Sequence, residues 1–112
     1  MRKFQMSLLQ GTLDLLVLRV VSAGPRHGYD IAKRIQLLSK EALTICQGSL
    51  YPALHRLEER GFVRATWKES ETGRRARFYT LSAAGKRELA ASESYWREFS
   101  VAVEHVLKGA RA

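Results

Sequence analysis

The spacing of apolar residues changes twice along this chain, and those changes restrict the fold more than any single motif does. Apolar residues recur at intervals of three and four over residues 7–22, 28–38 and 49–60, which predicts three helices. Residues 63–68 and 75–80 are instead rich in Trp, Phe, Tyr, Val and Thr, as strands are. Helical spacing returns over residues 82–107. We therefore predict a mainly α fold with one small β-hairpin, the order of a winged helix-turn-helix followed by a long C-terminal helix.

Residues with strong backbone preferences mark the ends of these elements. The Gly-Pro pair at 24–25 ends the first helix. Ser49 is predicted to be the N-cap of the third helix, which leaves Pro52 in the first turn, where proline is tolerated. Turn-forming residues at 70–73 join the two strands, and Ser82 caps the last helix.

The first and last helices present more apolar surface than one domain of this size is expected to cover. In the first helix, leucines and valines occupy most of the circumference, so it requires neighbours on more than one side. The last helix keeps a three- and four-residue rhythm for about three heptads. With roughly 25 residues it reaches about 37 Å, longer than the diameter expected for the rest of the domain. We expect part of it to project and to pack against something else.

Positive charge is concentrated in one part of the chain. The 112 residues carry 19 Lys and Arg against 11 Asp and Glu, a formal charge of +8. Residues 26–77 hold 11 of these cations and 6 of these acids, so they carry +5 of the total. Such a stretch is typical of proteins that bind a polyanion, and we predict that Arg74, Arg75 and Arg77 on the hairpin bind DNA phosphates. The alternative is that these arginines only keep an edge strand solvated.

The sequence lacks the residues that several functional classes of protein require. With 46% apolar residues the chain is too hydrophobic to be disordered, and its single cysteine, Cys46, excludes an internal disulfide. No nucleophile-elbow or glycine-rich phosphate motif occurs, and His27, His55 and His105 lack the paired spacing of metal ligands. We therefore expect no catalytic residue, no cofactor and no metal. Charges interrupt every long apolar run, which predicts a cytoplasmic protein that does not enter a membrane.

Six short motifs resemble the PadR family of bacterial transcriptional regulators, in particular its short form. They read Leu-Gln-Gly-Thr-Leu-Asp at 9–14, His-Gly-Tyr-Asp-Ile-Ala at 27–32, Gly-Ser-Leu-Tyr-Pro-Ala-Leu at 48–54, Arg-Leu-Glu at 56–58 with Gly61, Arg-Arg-Ala-Arg-Phe-Tyr at 74–79 and Leu-Ser-Ala-Ala-Gly at 81–85. The Gly-Ser-Leu-Tyr-Pro run is the most specific of them. The resemblance is clear over about residues 8–89 and loose beyond them.

The resemblance implies a homodimeric repressor of transcription that binds a palindromic promoter site on double-stranded DNA. Residues 1–81 would form the DNA-binding domain and residues 82–112 the dimerisation helix, which packs against the partner's N-terminal helix. The implied dimer interface consists of Leu13, Leu16, Val17, Val20, Leu89, Trp96, Phe99, Val103 and Val106. Release from DNA by a small hydrophobic effector is a further implication, with Trp96 and Phe99 as its pocket; the alternative for Trp96 is plain packing in the seam.

The predicted DNA-binding residues lie on the second and third helices and on the hairpin. They are Lys33, Gln47, Ser49, Tyr51, Pro52, His55, Arg56, Arg74, Arg75 and Arg77. In the family, the residues that match Ser49, Tyr51 and Pro52 lie near DNA at the start of the recognition helix. Arg56 is predicted to contact either a guanine or a phosphate.

Four other predictions concern alternatives that the pattern leaves open. Trp67 is interpreted as the hydrophobic seat of the hairpin, and at least one of Phe78 and Tyr79 as a core residue. Cys46 is interpreted as a small filler rather than a redox sensor. The competing hypothesis for the whole chain is a winged-helix module that docks proteins without binding specific DNA.

Overall fold

The computed structural model describes residues 4–5 and 10–110. The elements in chain order are β1 (Phe4–Gln5), α1 (Gln10–Val21), β2 (Arg26–His27), α2 (Gly28–Leu38), β3 (Leu43–Thr44), α3 (Gln47–Glu59), β4 (Val63–Glu69), β5 (Arg75–Leu81) and α4 (Ala83–Gly109). The predicted order of three helices, a hairpin and a long helix is confirmed. The predicted beginning of the first helix at residues 7–9 lies outside the described residues.

Helix α1 lies at the centre of the fold, in contact with α2, α3, α4 and β5. Its buried side chains are Leu13, Val17, Leu18, Val20 and Val21. Four elements of its own chain thus cover most of this apolar helix, while Leu15 and Leu16 remain half-buried. Leu13, Val17 and Val20 belong to the core of the single chain, and their prediction as dimer-interface residues is corrected accordingly.

Helices α2 and α3 begin with different kinds of cap. The Nδ1 atom of His27 accepts a hydrogen bond from the backbone N–H of Asp30, 3.3 Å away, at the start of α2. The N-cap of α3 is Cys46 rather than the predicted Ser49. The helix therefore begins earlier than predicted, and Pro52 lies in its second turn, where it omits one backbone hydrogen bond.

The hairpin pairs in the register that its turn dictates, and a third strand joins it. Strands β4 and β5 are antiparallel, with Ala65 opposite Tyr79. Gly73 adopts φ +82° in the turn, a conformation that L-residues rarely adopt. Strand β2, which the sequence analysis did not predict, adds to the free edge of β5 with Arg26 opposite Tyr79. The hairpin is thereby attached directly to the N-terminal end of α2.

Helix α4 is capped as predicted and extends beyond the core. The Ser82 hydroxyl accepts a hydrogen bond from the Gly85 N–H at 3.0 Å and donates one to the Gly61 carbonyl at 2.6 Å. Leu89 is only 6% exposed and belongs to the core, so its prediction as an interface residue is also corrected. The remaining seam residues stay exposed on the single chain: Trp96, Phe99, Val103 and Val106.

Candidate nucleic-acid interface

The exposed face of α3 meets α2 in a groove of about 250 Å³, the α2–α3 groove, whose lining includes Lys33, Gln47 and Tyr51. On the adjoining stripe of α3, Leu50 and Leu54 are buried in the core. Burial of that stripe turns Tyr51 and its neighbours outward, and Tyr51 is 49% exposed. Three of the predicted DNA-binding residues are thus brought together, although they come from two helices. Ser49, Pro52 and His55 lie on α3 as well, half-buried in the first case and exposed in the other two.

A second and larger depression separates the hairpin from the beginnings of α2 and α3. This wing cleft has a volume of about 1020 Å³. Its lining includes Arg26, Tyr29, Tyr51, Trp67, Arg74, Arg75 and Arg77. Tyr51 therefore borders both depressions and lies between the polar residues of the α2–α3 groove and the arginines of the hairpin.

The three predicted arginines of the hairpin have different surroundings. Arg77 donates a hydrogen bond from Nη2 to Oε2 of Glu58 at 2.7 Å, so its charge is partly used to tie β5 to α3. Arg75 places its guanidinium 5.8 Å from the centre of the Trp67 ring. No ion pair among the described residues includes Arg74 or Arg75. These two arginines are the strongest candidates for phosphate contacts, whereas Arg77 is already paired.

Arg56 forms an ion pair that the sequence analysis did not predict. Its Nη2 atom lies 2.8 Å from Oδ1 of Asp14, and both side chains are largely buried. The ion pair connects α3 to the central helix α1. The guanidinium of Arg56 is thus engaged within the subunit, and its contact with DNA stays a prediction that this ion pair disfavours. His55 also has an acidic neighbour, Glu59 at 2.6 Å, but its side chain remains 70% exposed.

Two aromatic predictions for the hairpin have opposite outcomes. Tyr79 is 5% exposed, which confirms that one member of the Phe78–Tyr79 pair is a core residue. Burial raises the pKa of its hydroxyl. Trp67 is 57% exposed, so the interpretation of Trp67 as the hydrophobic seat of the hairpin is wrong. Tyr79 occupies that position instead.

Cys46 stands at the edge of the same surface, directly before α3. Its Sγ lies 3.4 Å from Oγ of Ser49. The hydrogen bond to the Ser49 side chain, followed by that to the Ser49 backbone, lowers the pKa of the thiol. The Cys46 side chain is half-buried.

Gly28 is required by a close approach that the sequence analysis did not detect. A Cβ atom built at this buried position would lie 3.1 Å from Oη of Tyr51 and 3.2 Å from Cε1 of its ring. These distances are shorter than ordinary van der Waals contacts. The absent side chain at the first residue of α2 therefore lets Tyr51 lie across the helix. The motif at 27–32 contained this glycine, but only the packing reveals its purpose.

We expect Gly28→Ala to weaken DNA binding while changing the thermal stability little. The added methyl would displace Tyr51, and loss of one polar contact of about 1 kcal/mol corresponds to about a fivefold higher Kd. Binding should be titrated with the wild-type chain, Gly28→Ala, Tyr51→Ala and the double variant. If Gly28 acts through Tyr51, then Gly28→Ala will have no further effect in the Tyr51→Ala background. Additive losses would contradict this role.

A third depression lies on the opposite side of the molecule, between α1 and α4. This α1–α4 groove has a volume of about 490 Å³ and includes Leu15, Glu88, Tyr95, Trp96 and Phe99 in its lining. The Tyr95 and Phe99 rings stack with their centroids 5.8 Å apart. Trp96 and Phe99, predicted together as an effector pocket, do border one groove.

The described part of the chain contains neither a metal-binding cluster nor a membrane-spanning helix. Within residues 4–5 and 10–110, no group of three His, Cys, Asp or Glu side chains is arranged to hold a metal ion. Across the same residues, no helix combines the length and apolar character needed to cross a bilayer.

Comparison with known proteins relates this chain to transcriptional regulators. Residues 17–91 match the transcriptional regulator PadR-like family. A solved PadR family transcriptional regulator from Eggerthella lenta is 28% identical, with a TM-score of 0.75 over 91% of this chain and 87% of that one. A transcriptional regulator from Clostridium thermocellum gives a TM-score of 0.79 over 88% of this chain and 95% of that one; its 23% identity shows the fold alone. Transcriptional regulator YqjI of Escherichia coli is 34% identical over 65 residues, which are 58% of this chain but 30% of that protein.

Proposed function

This chain belongs to the PadR-like family of transcriptional regulators, and on that premise we propose that it is a homodimeric repressor that binds a palindromic promoter site. Family membership makes it a DNA-binding regulator rather than an enzyme. The observation that carries the proposal is that Tyr51 borders both the α2–α3 groove and the wing cleft. One surface thereby combines exposed helical polar groups with the cationic hairpin, as a winged helix on duplex DNA requires.

The residues of this surface suit the two parts of a DNA site, the major groove and the phosphate backbone. Lys33, Gln47 and Tyr51 face outward around α3, the helix that would enter the major groove. Arg74 and Arg75 stand on the hairpin, where they would bind phosphates beside that groove. In a symmetric dimer, two α3 helices would reach successive major grooves about 34 Å apart. A two-fold operator would then match the symmetry of the protein.

The test of DNA binding is a titration of the protein with its own promoter and with a random duplex at two salt concentrations. We expect a preference for the promoter and a steep loss of affinity at the higher salt concentration, because arginine–phosphate contacts release counterions. Repression predicts that deletion of the gene raises expression from that promoter. No preference and a flat salt response would instead favour the alternative of a protein-docking module.

Dimerisation is proposed to occur through α4 and the α1–α4 groove. Trp96, Phe99, Val103 and Val106 follow helical spacing and are between 40% and 70% exposed on the single chain. Such a continuous apolar seam on a helix is typical of a surface that pairs with another helix. Leu16, half-buried on α1, remains in the proposed interface, since the partner's α4 would approach that helix. Residues 82–112 would thus form the dimerisation arm and residues 1–81 the DNA-binding domain.

We expect Phe99→Glu to convert the dimer into a monomer in analytical ultracentrifugation. A carboxylate in the middle of an apolar seam would lose its hydration without gaining a partner. Leu38→Glu is the matched control, because Leu38 is also an exposed apolar residue, 67% exposed, and lies on α2. The control should remain dimeric. A wild-type chain that sediments as a monomer, or a Phe99→Glu chain that stays dimeric, would contradict this interface.

A small hydrophobic effector is proposed to bind in the α1–α4 groove and to release the protein from DNA. Its lining combines Tyr95, Trp96 and Phe99 with one carboxylate, Glu88, which suits an apolar cation. In Trp67→Phe protein the fluorescence reports on Trp96 alone, since the chain has two tryptophans. Ligands that release DNA should quench this fluorescence. Release without any response would contradict a pocket at Trp96.

A further inference from the structure

The indole side chain of Trp67 is exposed and does not belong to the hydrophobic core. It lies on strand β4, two residues after Ala65, and on the same face of the hairpin. Ala65 is half-buried opposite the buried Tyr79, whereas Trp67 lies opposite Arg77 and is 57% exposed. The same strand face therefore passes from the core into the wing cleft between these two positions. Trp67 therefore contributes its ring to the lining of the wing cleft rather than to the core.

The surroundings of Trp67 combine apolar surface with positive charge. The Arg75 guanidinium lies 5.8 Å from the centre of its ring. Tyr29 and Tyr51 border the same cleft, with exposed fractions of 71% and 49%. The cleft is thus lined by three exposed aromatic rings and by the cations of Arg74 and Arg75.

A DNA strand has the chemistry that such a cleft would recognise. Anionic phosphates alternate along its backbone with deoxyribose rings, whose faces are largely apolar. We propose that Trp67 packs against a deoxyribose of the strand whose phosphates bind Arg74 and Arg75, and that it sets the depth at which the hairpin contacts DNA. This inference rests on the proposed DNA-binding function and assigns one residue to it.

An uncharged contact and a charged one differ in their response to salt. Phosphate contacts by arginine release counterions, so their loss lowers the slope of log K against log salt concentration by about 0.9 each. A contact between indole and sugar releases no counterion. Trp67→Ala should therefore weaken binding without changing the slope, whereas Arg75→Ala should weaken binding and lower the slope. The two neighbouring residues thus provide an internal comparison.

The experiment measures promoter affinity at four salt concentrations for the wild-type chain, Trp67→Phe, Trp67→Ala and Arg75→Ala. We expect Trp67→Ala to raise Kd about tenfold at every salt concentration, a size typical of a Trp contact truncated to Ala at an interface. Trp67→Phe should retain most of the affinity, because it keeps an aromatic ring. Thermal melting of each variant shows whether it is folded, and the exposed position predicts that all of them are.

Fluorescence supplies a readout that does not depend on affinity. In Trp96→Phe protein the remaining indole is Trp67. Saturating promoter duplex should shield it from acrylamide quenching. In Trp67→Phe protein, Trp96 should keep its accessibility on addition of the same duplex.

The outcomes separate this assignment from the function on which it rests. If the wild-type chain binds the promoter but Trp67→Ala binds equally well, the cleft serves another partner and the assignment to Trp67 is overturned alone. A reduced salt slope in Trp67→Ala, or an unshielded Trp67 in the complex, overturns it too. A wild-type chain without salt-dependent duplex binding overturns both.

Discussion

Gly85→Ala is expected to destabilise this protein by about 3 kcal/mol or more, the range of severe overpacking. Gly85 is buried in the first turn of α4, where the helix crosses the end of α3 and the start of β4. A Cβ atom at this position would overlap the Phe62 carbonyl oxygen and would lie 2.7 Å from Cδ2 of Leu81. The Phe62 carbonyl cannot easily move away, because it also accepts a hydrogen bond from the Ser82 N–H at 3.1 Å.

The same substitution at the other end of α4 is the matched control. A Cβ atom at Gly109 would meet nothing within 4 Å. Gly109→Ala should therefore leave the melting temperature unchanged or raise it slightly, since alanine favours the helix. Thermal unfolding followed by circular dichroism measures both variants, and we expect Gly85→Ala to melt lower by about 15 °C. Equal melting temperatures would show that α4 does not pack against Phe62 as described.

Replacement of both Arg74 and Arg75 by Ala is expected to weaken binding to every duplex alike. Loss of two phosphate contacts lowers the salt slope by about 1.8, which corresponds to roughly a 50-fold loss of affinity near 0.1 M salt. The ratio between promoter and random duplex should stay constant, because phosphates carry no sequence information. Affinity should be measured for both duplexes over a series of salt concentrations.

A control variant separates this local effect from a change in total charge. Lys86 and Arg87 are exposed on α4, so Lys86→Ala with Arg87→Ala removes the same charge away from the hairpin. We expect this variant to lose little affinity. An equal loss of affinity in both double variants would show that total charge, and not the position of Arg74 and Arg75, determines the affinity. A loss confined to the promoter would mean that the hairpin reads bases.

Much of the fold follows from short stretches of sequence. The hairpin and α4 begin where expected, because a glycine in the turn and a serine cap act through hydrogen bonds within a few residues. The predicted start of α3 was less accurate. Both Cys46 and Ser49 precede a helical run, and the local pattern does not show which of them is the N-cap. Strand β2 was missed because two residues carry no periodic signal, and its pairing depends on the free edge of β5.

The candidate interface was predicted in outline but not in the role of each residue. The sequence identified a basic segment and three hairpin arginines that the structure places along one cleft, because charge and strand pattern are properties of composition and spacing. The dimer-interface prediction for Leu13, Val17 and Val20 on α1 was wrong, because these side chains are buried within the single chain. Periodicity reveals that Leu13 and Val17 are apolar, but it does not reveal whether the same chain or a second one covers them.

The sequence by itself determined the order of the helices and the hairpin, the Ser82 cap of α4 and the position of the positive charge, since these depend on neighbours a few residues apart. Only the tertiary structure decided which charged and aromatic groups remain available. Arg56 is paired with Asp14 across 42 positions and Arg77 with Glu58 across 19, whereas Trp67 is left exposed. Such contacts form only when separate elements pack together, so no local pattern encodes them.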